Sequence, residues 1–355
     1  MATIDSPKDI RSGEELDTAK LSAYLRQVLP EAKGVMKILQ FPSGFSNLTY
    51  LVTLESREFI LRRPPFGKKA KTAHDMKREY TILKSLRPDF PYAPEPLAYC
   101  DDPAVMDAPF YLMERIKGII LRKNFPKEMV LNEADVGLLC ENFMRIFTTL
   151  HRLDYRKCGL ESLGQPEGYV RRQVEGWSRR FRDARTPDVP DFEAVMEWLA
   201  ATMPPDSPKP GLIHNDYKFD NVVLNPDNPL EIVGVVDWEM ATIGDPLMDL
   251  GASLAYWVNR DDPDEVQLIR TLPTTVPGML SRRQIVDLYA DMSGIAINNF
   301  DFYYCYGLFR LAVIAQQIYY RYYHGQTKDE RFKLLSFAVS VLEKAARGVM
   351  EGKGI

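Results

Sequence analysis

The 355-residue chain is long enough for two domains or one large two-lobed one, and with 45% apolar and 26% charged residues it has the make-up of an ordinary soluble globular protein. A net charge of -4 argues against a broad nucleic-acid surface, and the most apolar stretch, residues 302–320, carries Arg310, Gln316 and Gln317 and reads as a buried helix, not a membrane span. Cys100, Cys140, Cys158 and Cys305 form no C-x-x-C pair, and the first seventeen residues are polar with no secretory apolar region, so free thiols and a cytoplasmic location are expected.

In chain order, Leu21, Tyr24, Leu25 and Val28 recur at helical spacing and predict a helix over about residues 18–30. Three β-like runs follow, "VMKILQF", "LTYLVTL" and "EFILRR", separated by the turns "FPSGFSN" and "ESRE"; they read as an antiparallel meander. A helix is predicted over 73–86, with Met76, Tyr80 and Leu83 on one face. The Pro-rich "RPDFPYAPEPLAYC" reads as irregular, and "APFYLMERIKG" as an apolar strand stopping at Gly118. A long helix over about 133–153 turns Leu138, Phe143, Phe147 and Leu150 inward. After the link "TMPPDSPKPG" come two short strands, "VVLN" and "EIVGVVDW", and from about Pro246 the chain is helical. Strands with one main helix come first and helices with a small hairpin second. The order predicts an α+β chain of two lobes, residues 1–115 and 116–355, with a ligand cleft between them.

The densest chemistry lies in "LIHNDYKFDNVVL", Leu212 to Leu224, where a His, two Asp, a Lys and two Asn interrupt an apolar frame. Asp216 and Asn221 are spaced D-x-x-x-x-N, Lys218 lies two after the Asp, and Asp237 ends the apolar run "IVGVV". The amide oxygen of Asn221 and the carboxylate of Asp237 are hard ligands suited to Mg²⁺, whose shell phosphate oxygens and water can complete. Asp216 is then free to face a substrate hydroxyl, and Lys218 to neutralise a phosphoryl group. The pattern points to phosphoryl transfer, which needs positioning and charge neutralisation more than covalent catalysis.

The block "LIHNDYKFDNVVLNPDNPLEIVGVVDWEMATIGDPLMDLG" resembles the aminoglycoside phosphotransferase, or choline-kinase-like, family, and the resemblance runs from about Phe41 to about Gly325. It implies a two-lobed protein-kinase-like fold with an antiparallel N-terminal sheet and a mostly helical C-terminal lobe. It also implies ATP and Mg²⁺ as cofactors and a small-molecule hydroxyl acceptor. By the same resemblance Asp216 is the catalytic aspartate, Lys218 its companion, and Asn221 and Asp237 the magnesium ligands. Arg62 falls where kinases keep a phosphate-binding lysine, and Glu79 where a helix glutamate pairs with it. The backbone of Glu114 and Ile116 would meet the adenine edge. The chain departs from protein kinases in having "FPSGFSNLTY" for the glycine-rich loop, which leaves Ser46 and Asn47 to bind phosphate. It also has "DWE" for DFG and no A-P-E, which argues against protein substrates. Arg62 brings a larger, forked guanidinium in place of an ammonium.

His214 reads as structural with Asp249 as its buried partner, His151 as a satisfied core histidine, and Asp245 as a helix cap. Glu239 is balanced between a water-mediated metal contact and a solvated residue. The basic stretch "KGIILRKNFPKE" and the aromatic C-terminal helices suit an anionic or partly apolar acceptor better than a polycation. The chain looks closest to the kinase-like domains fused to acyl-CoA dehydrogenases, which implies a hydroxyacyl-CoA or similar hydroxy compound. The alternatives are an aminoglycoside O-phosphotransferase and a non-catalytic nucleotide-binding module. No oligomeric state follows from the sequence.

Overall fold

The computed structural model describes residues 6–30, 34–41, 47–55, 57–66 and 75–355. The chain divides into two compact units, Met1–Ile120 with Asn221–Glu239, and Leu121–Asp220 with Met240–Ile355. The sequence reading makes a single cut after residue 115. The contacts carry the first unit on to Ile120 and return the chain to it for nineteen residues.

The first unit opens with α1 (Thr18–Val28), capped by the Asp17 side chain, which accepts from the N–H groups of Ala19 and Lys20. Its buried face, Leu21 and Leu25, joins Tyr50, Val52, Leu61 and Leu112 in one core. Strands β1 (Met36–Gln40), β2 (Leu48–Leu54) and β3 (Arg57–Arg63) form the predicted antiparallel meander. Helix α2 (Met76–Leu86) is capped by Asp75, and the predicted residues 73 and 74 lie outside the described residues. Its buried stripe is Met76, Glu79, Ile82, Leu83 and Leu86. Helical spacing from Met76 therefore points Glu79 inward, while Tyr80 falls at the margin.

Two strands follow, β4 (Pro96–Cys100) and β5 (Phe110–Glu114), and the sheet order is β1-β2-β3-β5-β4. The expectation that residues 87–100 are irregular fails for β4. Pro96 begins an edge strand and sits at a register shift, where its missing N–H removes no ladder bond. A two-residue strand β6 (Ile119–Ile120) ends this part.

In the second unit α3 (Glu133–His151) is capped by Asn132. Phe143, Phe147 and Leu150 are buried as predicted, but Leu138 is exposed and Leu139 takes its place. Counting back from Phe143 by four and three reaches 139 and 140, not 138. Helices α4 (Tyr169–Asp183) and α5 (Glu193–Ala201) were not expected. The stripe Val170, Val174, Trp177, Phe181 of α4 is masked in sequence by five arginines. Strand β7 (Gly211–Ile213) then leads into the polar loop. Back in the first unit, β8 (Val222–Leu224) and β9 (Ile232–Val235) complete a sheet ordered β6-β8-β9.

The second unit resumes with β10 (Thr242–Gly244), paired to β7. It closes with α6 (Pro246–Leu254), α7 (Asp264–Ile269), α8 (Arg282–Ser293), α9 (Asp301–Tyr323) and α10 (Leu335–Met350). Helices α6 and α9 cross backbone to backbone: a Cβ on Gly307 would collide with the carbonyl of Gly251. No helix among the described residues is long and apolar enough to cross a membrane. The four cysteines are free thiols, three of them buried.

Candidate active site

In the first unit Arg62 stands on β3 and Glu79 on the inward face of α2. Their side chains meet at 2.5 Å with both buried. The pair is therefore not the surface ion pair that spacing alone would allow. Arg62 also bonds Asp237 through both terminal nitrogens, at 3.1 and 3.0 Å, and approaches Glu239 at 3.4 Å. Burial opposes its charge, but Glu79, Asp237, Tyr111 and Glu239 hold the guanidinium well above its ordinary pKa. Burial pushes the Glu79 carboxyl up, against the pull of Arg62.

Asp237 follows β9 with φ +69, a left-handed conformation that an Asp tolerates better than a branched residue. The carbonyl of Asn221 accepts from Val236 at 2.9 Å, which ties the start of β8 to the end of β9 and brings both predicted metal ligands to one hairpin end. Asn47 donates to Glu239 at 2.6 Å, and Arg78 donates to the Glu239 carbonyl at 3.1 Å. Glu239 is thus fixed by its neighbours, not a solvated residue. Ser46 lies outside the described residues. Glu114 ends β5, and its N–H is spent on the Glu95 carbonyl at 2.9 Å. The side chain of Ile116 lies against Gly234, where a Cβ would strike it.

In the second unit the loop after β7 alternates. Tyr217 and Phe219 are fully buried, while Asp216, Lys218 and Asp220 lie between and around them. Tyr217 stacks on Phe147 with centroids 4.2 Å apart and donates to the Phe143 carbonyl at 2.8 Å; Phe219 packs on Phe143 at 4.4 Å. Two aromatic anchors thus hold one side of the loop in the core and turn the charged side outward. Lys218 bonds Asp216 at 2.7 Å, reaches Asp220 at 3.6 Å and lies 5.0 Å from the Tyr256 ring. Burial works against its charge, but Tyr256, Asp216 and Asp220 outweigh it and raise its pKa. Burial raises Asp220 too, against the pull of Lys218.

Asp249, fully buried on α6, grips the loop from behind. It accepts from the backbone N–H of His214 at 2.7 Å and of Asn215 at 2.8 Å. The expected His214–Asp249 partnership thus runs through the main chain of His214. The imidazole Nδ1 instead accepts from the Asp216 N–H at 3.2 Å. His151 supplies the ring contact to Asp249 at 3.1 Å and meets the Tyr289 hydroxyl at 2.8 Å, as a satisfied core histidine should. Asn215 has φ +63, and its carbonyl accepts from Arg310 at 2.7 Å. Asp245 caps α6 by accepting from Leu247 at 2.8 Å.

The structure therefore gathers Arg62, Glu79 and Asp237 in one cluster and Asp216 and Lys218 in another. Sequence reasoning missed Arg310, Asp220 and Tyr256. The signal for Arg310 was a single charged residue within the apolar run 302–320.

A family model described as "phosphotransferase enzyme family" matches residues 37–281. Acyl-CoA dehydrogenase family member 11 from Gallus gallus is 31% identical over 98% of this chain and 45% of its own length. The Homo sapiens protein of the same name is 32% identical over 89% and 41%. The chain spans less than half the length of these relatives. Among solved structures, an aminoglycoside phosphotransferase candidate from Ralstonia eutropha JMP134 superposes with a TM-score of 0.75 at 26% identity, over 93% of this chain and 99% of that one. Choline kinase from Cryptosporidium parvum Iowa II shares the fold, with a TM-score of 0.60 at 13% identity over 95% of this chain and 97% of that one.

Proposed function

Since this chain belongs to the phosphotransferase enzyme family, we propose that it is a small-molecule kinase that transfers the γ-phosphoryl group of ATP to an acceptor hydroxyl in the presence of Mg²⁺. The observation that carries this reading is Arg62, which joins the inward Glu79 of α2 to Asp237 at the end of β9. A buried cation linked to a strand-end carboxylate beside an asparagine amide is a set suited to polyphosphate and a hard metal ion. Asn221 and Asp237 would hold the ion. The described residues contain no group of three His, Cys, Asp or Glu side chains that would build an all-protein cage, which suits an ion whose shell phosphate and water complete. When bound, Mg²⁺ supplies charge neutralisation at the phosphate oxygens.

Asp216 orients the acceptor hydroxyl and takes its proton as the new O–P bond forms. The bond to the leaving oxygen breaks, and its electron pair departs with ADP. Lys218, held charged by its neighbours, keeps Asp216 placed and offsets the spreading negative charge. Arg62, with Asn47 and Ser46, takes the phosphates. The backbone of Glu114 and Ile116 takes the adenine edge, with the Glu114 carbonyl as acceptor, since its N–H is already committed.

For the acceptor we favour a hydroxyacyl-CoA or a related hydroxy compound. The names of the longer relatives support this choice, as does the run of Lys117, Arg122, Lys123 and Lys127. The test is ADP release and phosphorus NMR with Mg²⁺, ATP and panels of hydroxyacyl-CoAs, choline-like alcohols and aminoglycosides. Product from one class, lost on Asp216→Asn, supports the assignment. Turnover restricted to aminoglycosides replaces the acceptor. Nucleotide binding without any product leaves a non-catalytic module.

A further inference from the structure

Four arginines are buried among the described residues: Arg62, Arg63, Arg282 and Arg310. Three of them have carboxylates. Arg62 has Glu79 and Asp237, Arg63 has Asp107 at 3.0 Å, and Arg282 has Asp262 at 2.5 Å. Arg310, 3% exposed on α9, has none within ion-pair distance among the described residues. Among the described residues it makes one hydrogen bond, to the Asn215 carbonyl at 2.7 Å. A guanidinium has five N–H donors in one plane, and a buried cation without a counter-ion is costly. The Arg310 guanidinium carbon lies 5.2 Å from the centre of the Trp177 ring, beside which Arg180 also sits at 4.7 Å. The donors that do not bond Asn215 are unspent among the described residues. None of its nitrogens is among the sealed, unpartnered atoms of the described residues, so the unspent donors keep a slight exposure.

The surroundings say what those donors would bind. Burial opposes the charge of Arg310, while Tyr306, Tyr256, Asp216 and Tyr169 favour it, so the guanidinium is held firmly charged. Tyr256 is in turn the ring that Lys218 faces, and its electrostatic neighbours are Lys218, Asp216, Arg310 and Asp220. The cation therefore stands within the same small cluster as Asp216, with aromatic rings around it. Such a setting receives an oxygen carrying negative charge or strong polarity, attached to an apolar body.

We propose that Arg310 is the specificity-determining residue for the acceptor. Its unspent fork binds a carboxyl-derived oxygen, as carboxylate or thioester carbonyl, a few bonds from the hydroxyl that Asp216 faces. The inference rests on the kinase reading for Asp216 and deepens it by naming what selects the acceptor. The competing account is that Arg310 only braces the loop at Asn215.

The test compares the wild-type protein with Arg310→Met and Arg310→Lys, using the hydroxyhexanoyl-CoA isomers and the corresponding hexanols as acceptors. For the isomer turned over, Arg310→Met is expected to raise the acceptor KM at least tenfold with a smaller change in kcat. The preference for the thioester over the hexanol falls by a similar factor, added guanidinium partly restores it, and Arg310→Lys lies between. A proportional fall in kcat for both acceptor classes, with the preference unchanged, overturns the proposal in favour of a brace. Should Arg310→Met fail to fold, the preference measured with Arg310→Lys decides on the same terms. Should the wild type phosphorylate nothing, calorimetry with the same thioesters separates the two readings. Binding weakened at least tenfold by the substitution upholds Arg310 and removes the kinase reading. Equal binding by both proteins, or none by the wild type, overturns the role of Arg310.

Discussion

Asp216 owes its position to neighbours that are not themselves chemical. Tyr217 and Phe219 are buried on either side of Lys218, and the backbone of the two preceding residues hangs on Asp249. Replacing Asp216 by Asn keeps the shape and removes the proposed proton acceptor. Phosphoryl transfer should fall by about 10²–10⁴-fold with little change in melting temperature, measured by steady-state kinetics beside calorimetry. Arg62 is a different case, because three carboxylates depend on it. Arg62→Met leaves Glu79 sealed without its cation and should cost about 3–5 kcal/mol in a denaturant titration, whereas Arg62→Lys should recover part of that loss. At this scale the sequence singled out Asp216, Lys218, Asn221 and Asp237 as candidates, since their spacing is itself a signal. It was silent about how Glu239 is held, because Asn47 lies 192 residues away from it.

Helix α6 shows how one element both caps its own start and holds the loop that carries Asp216. Asp249 in its first turn holds the loop, and Asp245 caps its start. Among the described residues one oxygen of Asp245 has no partner, and burial, only partly offset by the bonds from Leu247 and Met248, pushes its pKa from 3.8 to about 6. A carboxyl whose folded pKa lies above its unfolded value binds its proton more tightly when folded. Its contribution is full below about pH 4 and is lost as pH rises through about 6. Asp245→Asn keeps an oxygen for the Leu247 N–H and removes the titration. The variant should be more stable than wild type by roughly 1–3 kcal/mol near pH 8, a gain that vanishes near pH 4, read from urea midpoints at both values. Asp249→Ala should cost about 3–5 kcal/mol by the same method, since it strips acceptors from two buried N–H groups and from His151. Elements with a clean period were legible in the sequence: β2 runs Leu48–Leu54 as predicted, and α1 and α3 differ only at their C-terminal ends. Helix α4 was not, because five arginines crowd a stripe of four apolar residues. Strand β4 was not, because a proline at a strand start looks like a loop until the edge of the sheet is known.

At the scale of the whole molecule, the chain crosses from one compact unit to the other between Asp220 and Asn221, inside its most chemical stretch. Ligand linkage offers a direct test. Mg²⁺ with ATP at about a hundredfold excess over Kd should stabilise the protein by about 2.7 kcal/mol, and Asp237→Asn should remove the Mg²⁺ dependence of the thermal shift while leaving the fold intact. The sequence by itself determined the family, most of the order of the elements and which residues bear charge. Those depend on spacing along the chain, and apolar periodicity is local. Only the tertiary structure decided which partners complete them. Arg310 reaches the loop from 95 residues away, Asp249 from about 35, and Arg62 meets Asp237 across 175. A pairing across such separations has no local period to betray it. It exists because folding brings a cation and a carbonyl or carboxylate to the same buried place, where leaving either unpaired would cost more than the chain's small margin of stability allows.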